Sequence, residues 1–149
     1  MSSILPYIIL ALAAGACLPV QAGINAQLNL WANSSILSSA ISFVVGAVAL
    51  IGYCLAVQVS VPPLSAVFSH PWWIWTGGLV GAFFVAAIIV LAENLDAVTM
   101  VSLILAGQMI VSLLLDQFGL LGFSVRPITL WRVMGTGLIV IGIVIVRRF

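Results

Sequence analysis

Charged residues are scarce in this sequence: they make up 5% of its 149 residues, whereas 64% are hydrophobic. A soluble domain has about 25% charged residues, and a chain of this length has too little interior to hide so much apolar surface. The chain is therefore predicted to be an integral membrane protein. Its few charges nearly balance and form no basic patch, so lipid is an expected partner and nucleic acid is not.

Cysteine and histidine are also rare, which argues against metal and catalytic sites. Cys17 and Cys54 lie in apolar runs, where they are expected to be small packing residues rather than a disulfide framework. His70 stands alone before Pro71, and no group of residues has the spacing of metal ligands. No nucleophile has a nearby base in sequence, although distant residues can converge in a fold. We predict no catalytic residue, no metal and no cofactor, and we do not expect an enzyme.

Five apolar runs predict an all-α membrane protein with five transmembrane helices in one domain. About 20 residues of helix cross the ~30 Å hydrocarbon core of a bilayer. The predicted spans are residues 4–22, 36–57, 73–92, 97–115 and 128–146. The first run resembles a signal peptide because Val20-Gln21-Ala22 looks like a cleavage site. It is long for a signal and no positive side chain precedes it, so it is predicted to be a retained span.

The predicted fourth span carries a polar face. Gln108, Ser112 and Asp116 are spaced four residues apart, so they share one side of a helix. An amide in hydrocarbon is unfavourable without a partner, so this face is predicted to look at a protein interior or a solute path. The alternative is an ordinary hydrogen bond between helices. Asp96, which precedes the span, is predicted to be its N-cap.

A second polar face follows Pro19 in the first span. Proline removes a backbone donor, and Gln21 and Asn25 come after it, four residues apart. A helix that is weakened by proline and then lined with amides is typical of a cavity wall inside a membrane protein. The alternative is a helix end that emerges into interfacial water, which is the preferred interpretation for Asn29 and the polar residues after it.

The two ends of the third span allow more than one interpretation. Trp72 begins a tryptophan cluster that is typical of an anchor at the membrane interface, and stacking on a solute is the less favoured alternative. Gly77 and Gly81 form a pair of small residues that lets another backbone approach closely. Glu93 begins a predicted tight turn directly after the apolar run, and its side chain can point back inward.

The arginines give the chain no preferred orientation. Five spans place the termini on opposite sides, with Arg126 and Arg132 on the N-terminal side and Arg147 and Arg148 on the other; the sequence has no lysine. Because Arg and Lys in short loops normally set orientation, this equal count predicts insertion in both directions. Two oppositely inserted copies form an antiparallel homodimer of ten helices, the architecture that inverted repeats produce within one chain.

Several patterns, taken in their order along nearly the whole chain, resemble a known family. They are Gln21-x3-Asn25-x-Gln27-Leu28, Pro71-Trp72 followed by Gly77-Gly78 and Gly81, Gly107-Gln108-x3-Ser112-x3-Asp116-x-Phe118-Gly119, and Thr129-x2-Arg132-x2-Gly135. The chain resembles the YdcZ-type small proteins of the drug/metabolite transporter superfamily. The resemblance implies a five-helix half-transporter that pairs as an antiparallel dimer and is related to ten-span members with two fused halves. It also implies that Gln21, Asn25, Gln108 and Asp116 lie near the central cavity of the dimer.

One departure from related small multidrug exporters affects the predicted solute. Those exporters carry a glutamate in the middle of the first span, whereas Gln21 and Asn25 are neutral. A mid-helix acid costs about 2.5–3.5 kcal/mol to insert, and its absence weakens the case for proton-coupled export of strong cations. We predict transport of a small neutral or weakly ionised polar solute by alternating access, either passive or coupled through Glu93 or Asp116. The predicted substrate-binding residues are Gln21, Asn25, Gln108, Ser112, Asp116, Glu93 and Trp72.

Two other functions remain open from the sequence. An antiparallel dimer with amides near its centre can be a dual-topology channel that passes a small anion. A structural or assembly subunit is the third possibility. In each case the expected location is the inner (plasma) membrane, crossed several times. The expected partners are a second copy of the chain, the lipid bilayer and a small-molecule substrate, with a second, similar chain as the alternative to self-pairing.

Overall fold

The structure of the chain, a computed structural model, describes residues 4–63 and 69–148, and these residues are helical apart from short connections. Five α-helices follow one another: α1 (Leu5–Ala32), α2 (Ser35–Ala56), α3 (Gly77–Asn94), α4 (Ala97–Phe118) and α5 (Leu130–Arg148). A 3-10 turn, Trp72–Thr76, leads into α3, and another, Leu120–Gly122, follows α4. The all-α prediction is confirmed. Residues 1–3, which belong to the uncharged segment before the predicted first span, lie outside the described part.

Four of the described helices are long and apolar enough to cross a membrane, namely α1, α2, α3 together with its leading turn, and α4. The apolar stretch of α5, Leu130–Ile145, is shorter. The whole of α5 has 19 residues and is therefore about 28 Å long, close to the ~30 Å hydrocarbon core. Large apolar side chains such as Leu12, Val48 and Phe83 remain exposed, as expected for helices that face lipid.

Helix α1 continues well beyond residue 22, where the predicted first span ends. It has 28 residues, so it is about 42 Å long and must tilt in the bilayer or project from it. Pro19 lies inside the helix without ending it. The helix ends at Ala32. Its C-cap, Asn33, is left-handed at φ 51°, and the N–H of Asn33 donates to the carbonyl of Asn29 at 2.7 Å. Gln21 and Asn25 therefore lie on one continuous helix.

The chain divides into two compact units, Met1–Asn94 and Leu95–Phe149. In the first unit, α1, α2 and α3 all pack against one another, and Ala22, Val85, Ile88 and Ile89 are buried. In the second unit, α4 packs against α5. Because the connection from α1 to α2 is short, these two helices run in opposite directions. The C-terminal end of α1 therefore lies beside the N-terminal end of α2.

Side chains at the helix ends satisfy the backbone groups there. Asp96 is the N-cap of α4, as predicted, and its Oδ1 accepts from the N–H of Thr99 at 2.9 Å. The hydrogen bonds from Thr99 hold the pKa of the Asp96 carboxyl below its usual range. Ser34 caps α2 by accepting from the N–H of Leu37 at 3.3 Å. Glu93, predicted to begin a turn, instead lies in the last turn of α3.

The small-residue pair in α3 meets a side chain within its own unit. A Cβ added to Gly81 would lie 3.4 Å from the ring of Phe43 on α2, whereas at Gly77 no described atom comes within 4 Å. In the described part of one chain, an aromatic ring and not a second backbone therefore approaches this pair. The predicted close approach of a second backbone to Gly77 and Gly81 would have to come from a partner chain, and it stays a prediction.

Candidate functional site

Gln21 and Asn25 lie on one face of α1 in the first unit, as the four-residue spacing predicts. Asn25 is buried, with 3% of its surface exposed, and its Nδ2 has no hydrogen-bond partner in the described part of the chain. An unpaired buried amide donor costs about 1–3 kcal/mol, so it is unusual without a reason. Gln21 is exposed. Within the described residues, the hydrogen bonding of this buried amide nitrogen is therefore incomplete.

A cavity of about 440 Å³ opens beside Asn25, and we name it the Asn25 groove. Its apolar wall comes from α1, and its uncharged polar groups are Gln21 and Asn25 on α1 and Ser42 on α2. The apolar wall consists of Ala16, Cys17, Val20 and Ile24. A second cavity of about 290 Å³ shares Gln21 and Ser42 with the groove and extends along α2 to Leu50. Ser42 was not among the predicted site residues, because a serine in an apolar helix is usually a packing residue.

A polar cluster ties together the neighbouring ends of α1, α2 and α3. Asn29 Nδ2 donates to Glu93 Oε1, and the buried hydroxyl of Ser38 donates to Asn29 Oδ1 at 3.4 Å. Asn29 was interpreted from the sequence as a residue in interfacial water, but it links three helices. The carboxylate of Glu93 is exposed and accepts from Asn29 near the end of α1. Its role in binding or coupling stays a prediction.

In the second unit, Gln108 and Ser112 lie on one face of α4, and both are exposed. A cavity of about 270 Å³ between α4 and α5 is lined by Ser112, Arg132 and the buried Thr136, together with apolar residues. Gln108 has no hydrogen-bond partner within the described residues, which is the situation of Gln21 in the first unit. The structure therefore gives Gln108 no interhelical bond inside its own unit.

Asp116, in the last turn of α4, pairs with Arg132 in the first turn of α5. The carboxylate Oδ2 accepts from one guanidinium nitrogen, and a second guanidinium nitrogen donates to the carbonyl of Arg126 at 2.9 Å. The N–H of Arg126 donates to the backbone carbonyl of Asp116 at 2.8 Å, and Gln117 Oε1 accepts from the N–H of Ile128 at 2.5 Å. These bonds fasten the connection between the two helices. Asp116 therefore has a structural role in holding this connection, and its role in coupling transport stays a prediction.

Trp72 is 77% exposed at the start of the turn that leads into α3. This exposure agrees with an interface anchor, because indole rings favour the boundary between lipid and water. Trp31 at the end of α1 and Trp131 at the start of α5 are equally exposed. The described part of the chain contains no cluster of His, Cys, Asp and Glu that could hold a metal ion.

Comparison with known proteins agrees with the resemblance seen in the sequence. A family model described as "Putative inner membrane exporter, YdcZ" matches residues 6–145. The inner membrane protein YdcZ of Escherichia coli (strain K12) is 29% identical over 137 residues, which cover 92% of this chain and 91% of that protein. No solved structure shows significant similarity to the chain. The apolar helices and these similarities together show a multi-pass protein of the inner membrane, in a family described as exporters rather than as enzymes.

Proposed function

This chain belongs to the YdcZ family of inner membrane proteins, and we propose that it transports a small uncharged or weakly ionised polar solute across that membrane. The working unit is an antiparallel homodimer that exposes its solute path to the two sides in turn. The description of the family as exporters supports transport, and outward movement is the direction that it favours.

The observation that carries the proposal is the kind of polar group inside the helices. Gln21, Asn25 and Gln108 are neutral amides more than one helical turn from any helix end, while Glu93 and Asp116 lie in terminal turns and are already bonded. In carriers of strong cations, a carboxylate in the path commonly replaces the hydration of the charge. Neutral amides suit a solute that they can hydrogen-bond without a counter-charge.

The antiparallel dimer rests on helix number and charge balance. Five helices are few for enclosing a solute path, and a second copy inserted the other way supplies the inverted repeat that many transporters have. Cross-linking of introduced cysteines tests this geometry. We expect N-terminus to C-terminus products between copies, because antiparallel chains bring opposite ends to the same side. Efficient N-to-N products with no N-to-C product would show a parallel dimer instead.

Orientation is tested with a reporter at the C-terminus, which we expect on both sides of the membrane in the natural sequence. Changing Arg147 and Arg148 to glutamine should move the reporter outside, because only Arg126 and Arg132 then hold their side in the cytoplasm. The converse variant neutralises Arg126 and Arg132. It also carries Asp116→Asn, because Asp116 pairs with Arg132 and would otherwise be a carboxylate without its partner. A natural-sequence reporter found on one side only would contradict dual insertion.

Transport is tested in proteoliposomes with a mixed panel of radiolabelled neutral, cationic and anionic small solutes. We expect accumulation or counterflow of neutral members, at rates typical of a carrier that changes conformation in each cycle. Asn25→Leu should lose this flux, while Gln27→Leu, a matched amide change on the same helix outside the described cavities, should keep it. Rapid ion current from the purified protein would favour the channel alternative, and flux of cations alone would contradict the proposed solute class.

A further inference from the structure

We propose that the cavity between α4 and α5 binds an anionic phospholipid, whose phosphate contacts Arg126 and Arg132 and whose ester carbonyl accepts from Thr136. We name this cavity of about 270 Å³ the Arg132 cleft. Its lining includes Met109 and Ser112 on α4 and Arg132, Gly135, Thr136 and Ile139 on α5. Gln108, the amide assigned to the solute, does not line it. Lipid binding in the cleft therefore does not depend on the proposed transport function.

The cleft changes from polar to apolar along α5. Arg132, Thr136 and Ile139 are spaced four and three residues apart, so they share one face of the helix. At a rise of 1.5 Å per residue, Thr136 lies about 6 Å and Ile139 about 10 Å further into the span than Arg132. Arg132 is in the first turn of α5, beside the exposed Trp131. A phospholipid has the same order of groups, because ester carbonyls follow its phosphate and acyl chains follow the carbonyls.

The outer end of the cleft carries a net positive charge. The Arg132 guanidinium donates to Asp116 and to the carbonyl of Arg126, and it keeps further N–H groups for a ligand. The exposed side chain of Arg126 makes no hydrogen bond or ion pair with the described residues. Two arginines and one aspartate leave this end with one positive charge, which a phosphodiester anion complements. Basic pockets between membrane helices bind lipid headgroups in this way.

The hydroxyl of Thr136 indicates a ligand inside the cleft. Thr136 is 8% exposed, and its side chain makes no hydrogen bond within the described part of the chain. Among the described residues, the fully enclosed side-chain polar atom without a partner is Asn25 Nδ2, so the Thr136 hydroxyl keeps access to the cleft. A hydroxyl in apolar surroundings is unfavourable without a partner. An ester carbonyl of a lipid is an acceptor at this depth of the bilayer.

The inner end of the cleft favours a lipid over a soluble phosphate. Met109 and Ile139 are apolar, and burial of apolar surface against them stabilises an acyl chain. A soluble phosphate would contact only the arginines and would leave this inner end unfilled. The cleft accommodates the glycerol region and the upper part of one chain, while the rest of the lipid lies in the bilayer.

The binding experiment measures the melting temperature of the purified protein in detergent, where the orientation of each copy in a membrane has no influence. The added lipids share two oleoyl chains: phosphatidylglycerol, phosphatidylethanolamine and dioleoylglycerol. A ligand that binds only the folded protein raises its melting temperature. We expect phosphatidylglycerol to stabilise most and dioleoylglycerol least, and soluble glycerol 3-phosphate to have little effect. Dioleoylglycerol or glycerol 3-phosphate that equals phosphatidylglycerol would overturn the proposal.

The headgroup contact is tested by removing one charge. Arg126→Gln should weaken phosphatidylglycerol binding about fivefold in native mass spectrometry, as expected for the loss of one arginine near an anionic headgroup. The variant should fold, because the Arg126 side chain is exposed and bonds no described residue. Arg148→Gln is the matched control, because it removes the same charge at the other end of α5. Equal binding by both variants would refute the headgroup assignment.

The contact of Thr136 is tested with a lipid that lacks ester carbonyls. The natural sequence should bind ester-linked phosphatidylglycerol about threefold more tightly than its dialkyl ether analogue, as expected for one hydrogen bond in a membrane protein. Thr136→Val keeps the shape of the side chain without its hydroxyl and should bind the two lipids equally. A preference for the ester that persists in Thr136→Val would show that the hydroxyl does not contact the carbonyl.

Two glycines of α5 test the location of the lipid. A Cβ added to Gly135 or to Gly137 meets no described atom within 4 Å, but only Gly135 lines the cleft. Gly135→Leu should fill the cleft and abolish stabilisation by phosphatidylglycerol, whereas Gly137→Leu should keep it. If Gly135→Leu separates the protein into monomers and keeps lipid binding, a second copy occupies the cleft and the proposal is wrong. None of these measurements uses flux, so the lipid site and the transport function are tested separately.

Discussion

The polar side chains at the helix ends differ from those inside the helices. At the ends, Asn29 bonds Glu93, Asp96 caps α4, and Asp116 pairs with Arg132. Inside the helices, the Nδ2 of the buried Asn25 has no partner in the described residues, and Gln108 is in the same position although exposed. These end residues thus find their partners within one chain, while Asn25 and Gln108 leave theirs open.

This distribution is the reverse of what stability alone would produce. Polar groups at helix ends lie near water, which can satisfy them, whereas in hydrocarbon an unsatisfied group is expensive. A chain that was selected only for stability would pair its interior amides first. We infer that the open interior amides take partners from outside the described chain. The paired ends would then be a frame that holds those amides in place.

The largest expected effect comes from removing an interior amide of the second unit. Gln108→Leu should abolish solute flux in proteoliposomes, because it removes a neutral polar group that the solute uses. The melting temperature of the Gln108→Leu variant should change little. Hydrogen bonds in membrane proteins average only about 0.6 kcal/mol, and the Gln108 side chain has none in its own unit. Loss of folding together with flux would show that Gln108 is structural, and the difference between interiors and ends would disappear.

Breaking the ion pair of the second unit should have the next largest effect, on stability rather than on flux. Asp116→Ala or Arg132→Ala leaves a partly buried charge without its partner and should lower the free energy of unfolding by about 1–3 kcal/mol. A double-mutant cycle measured by denaturation isolates the pair. The double variant should be more stable than the sum of the single changes predicts. Ser112→Ala on the same face serves as the control, and additive losses would show that the pair is energetically unimportant.

The smallest effect is expected at the N-cap of α4 and depends on pH. Thr99 lowers the pKa of Asp96 from its ordinary value of 3.8, so the cap contributes stability above that value and loses it as pH falls through the lowered pKa. Asp96→Asn remains a good cap but cannot titrate. The melting temperature of the natural sequence should therefore fall more steeply below about pH 4 than that of the variant. Identical acid sensitivity in both proteins would contradict this role.

The sequence predicts well what depends on local pattern. Long apolar runs predict the helices, because every backbone group in lipid must be bonded within its own segment. Spacing by four places Gln21 and Asn25 on one face of α1, and an acid before a helical run predicts the Asp96 cap; both are seen in the structure. Residue type and short spacing decide these features, and no neighbouring helix is needed.

Pairings between helices were not predictable from the sequence. Asn29 and Glu93 lie 64 residues apart, and Asp116 and Arg132 lie 16 apart, so their contacts depend on how neighbouring helices are aligned along their axes. The continuation of α1 past residue 22 was also missed, because the hydrophobic run ends there although the helix does not. Asn29 consequently looked like a residue of the membrane surface. The one available signal was that successive spans alternate in direction. This alternation places the C-terminal ends of α1 and α3 on the same side of the membrane.

One pair of variants on α1 compares an interior amide with an end amide under matched conditions. Asn25→Leu and Asn29→Leu make the same chemical change on the same face, four residues apart, and each is measured for melting temperature and for solute flux per folded protein. Asn25→Leu should lose flux and keep or gain stability, because it removes an unpaired buried donor. Asn29→Leu should lose about 1 kcal/mol of stability and keep its flux, because its bonds only join helix ends. The opposite pattern, with Asn25→Leu unfolding the protein and Asn29→Leu blocking flux, would contradict the division between interiors and ends.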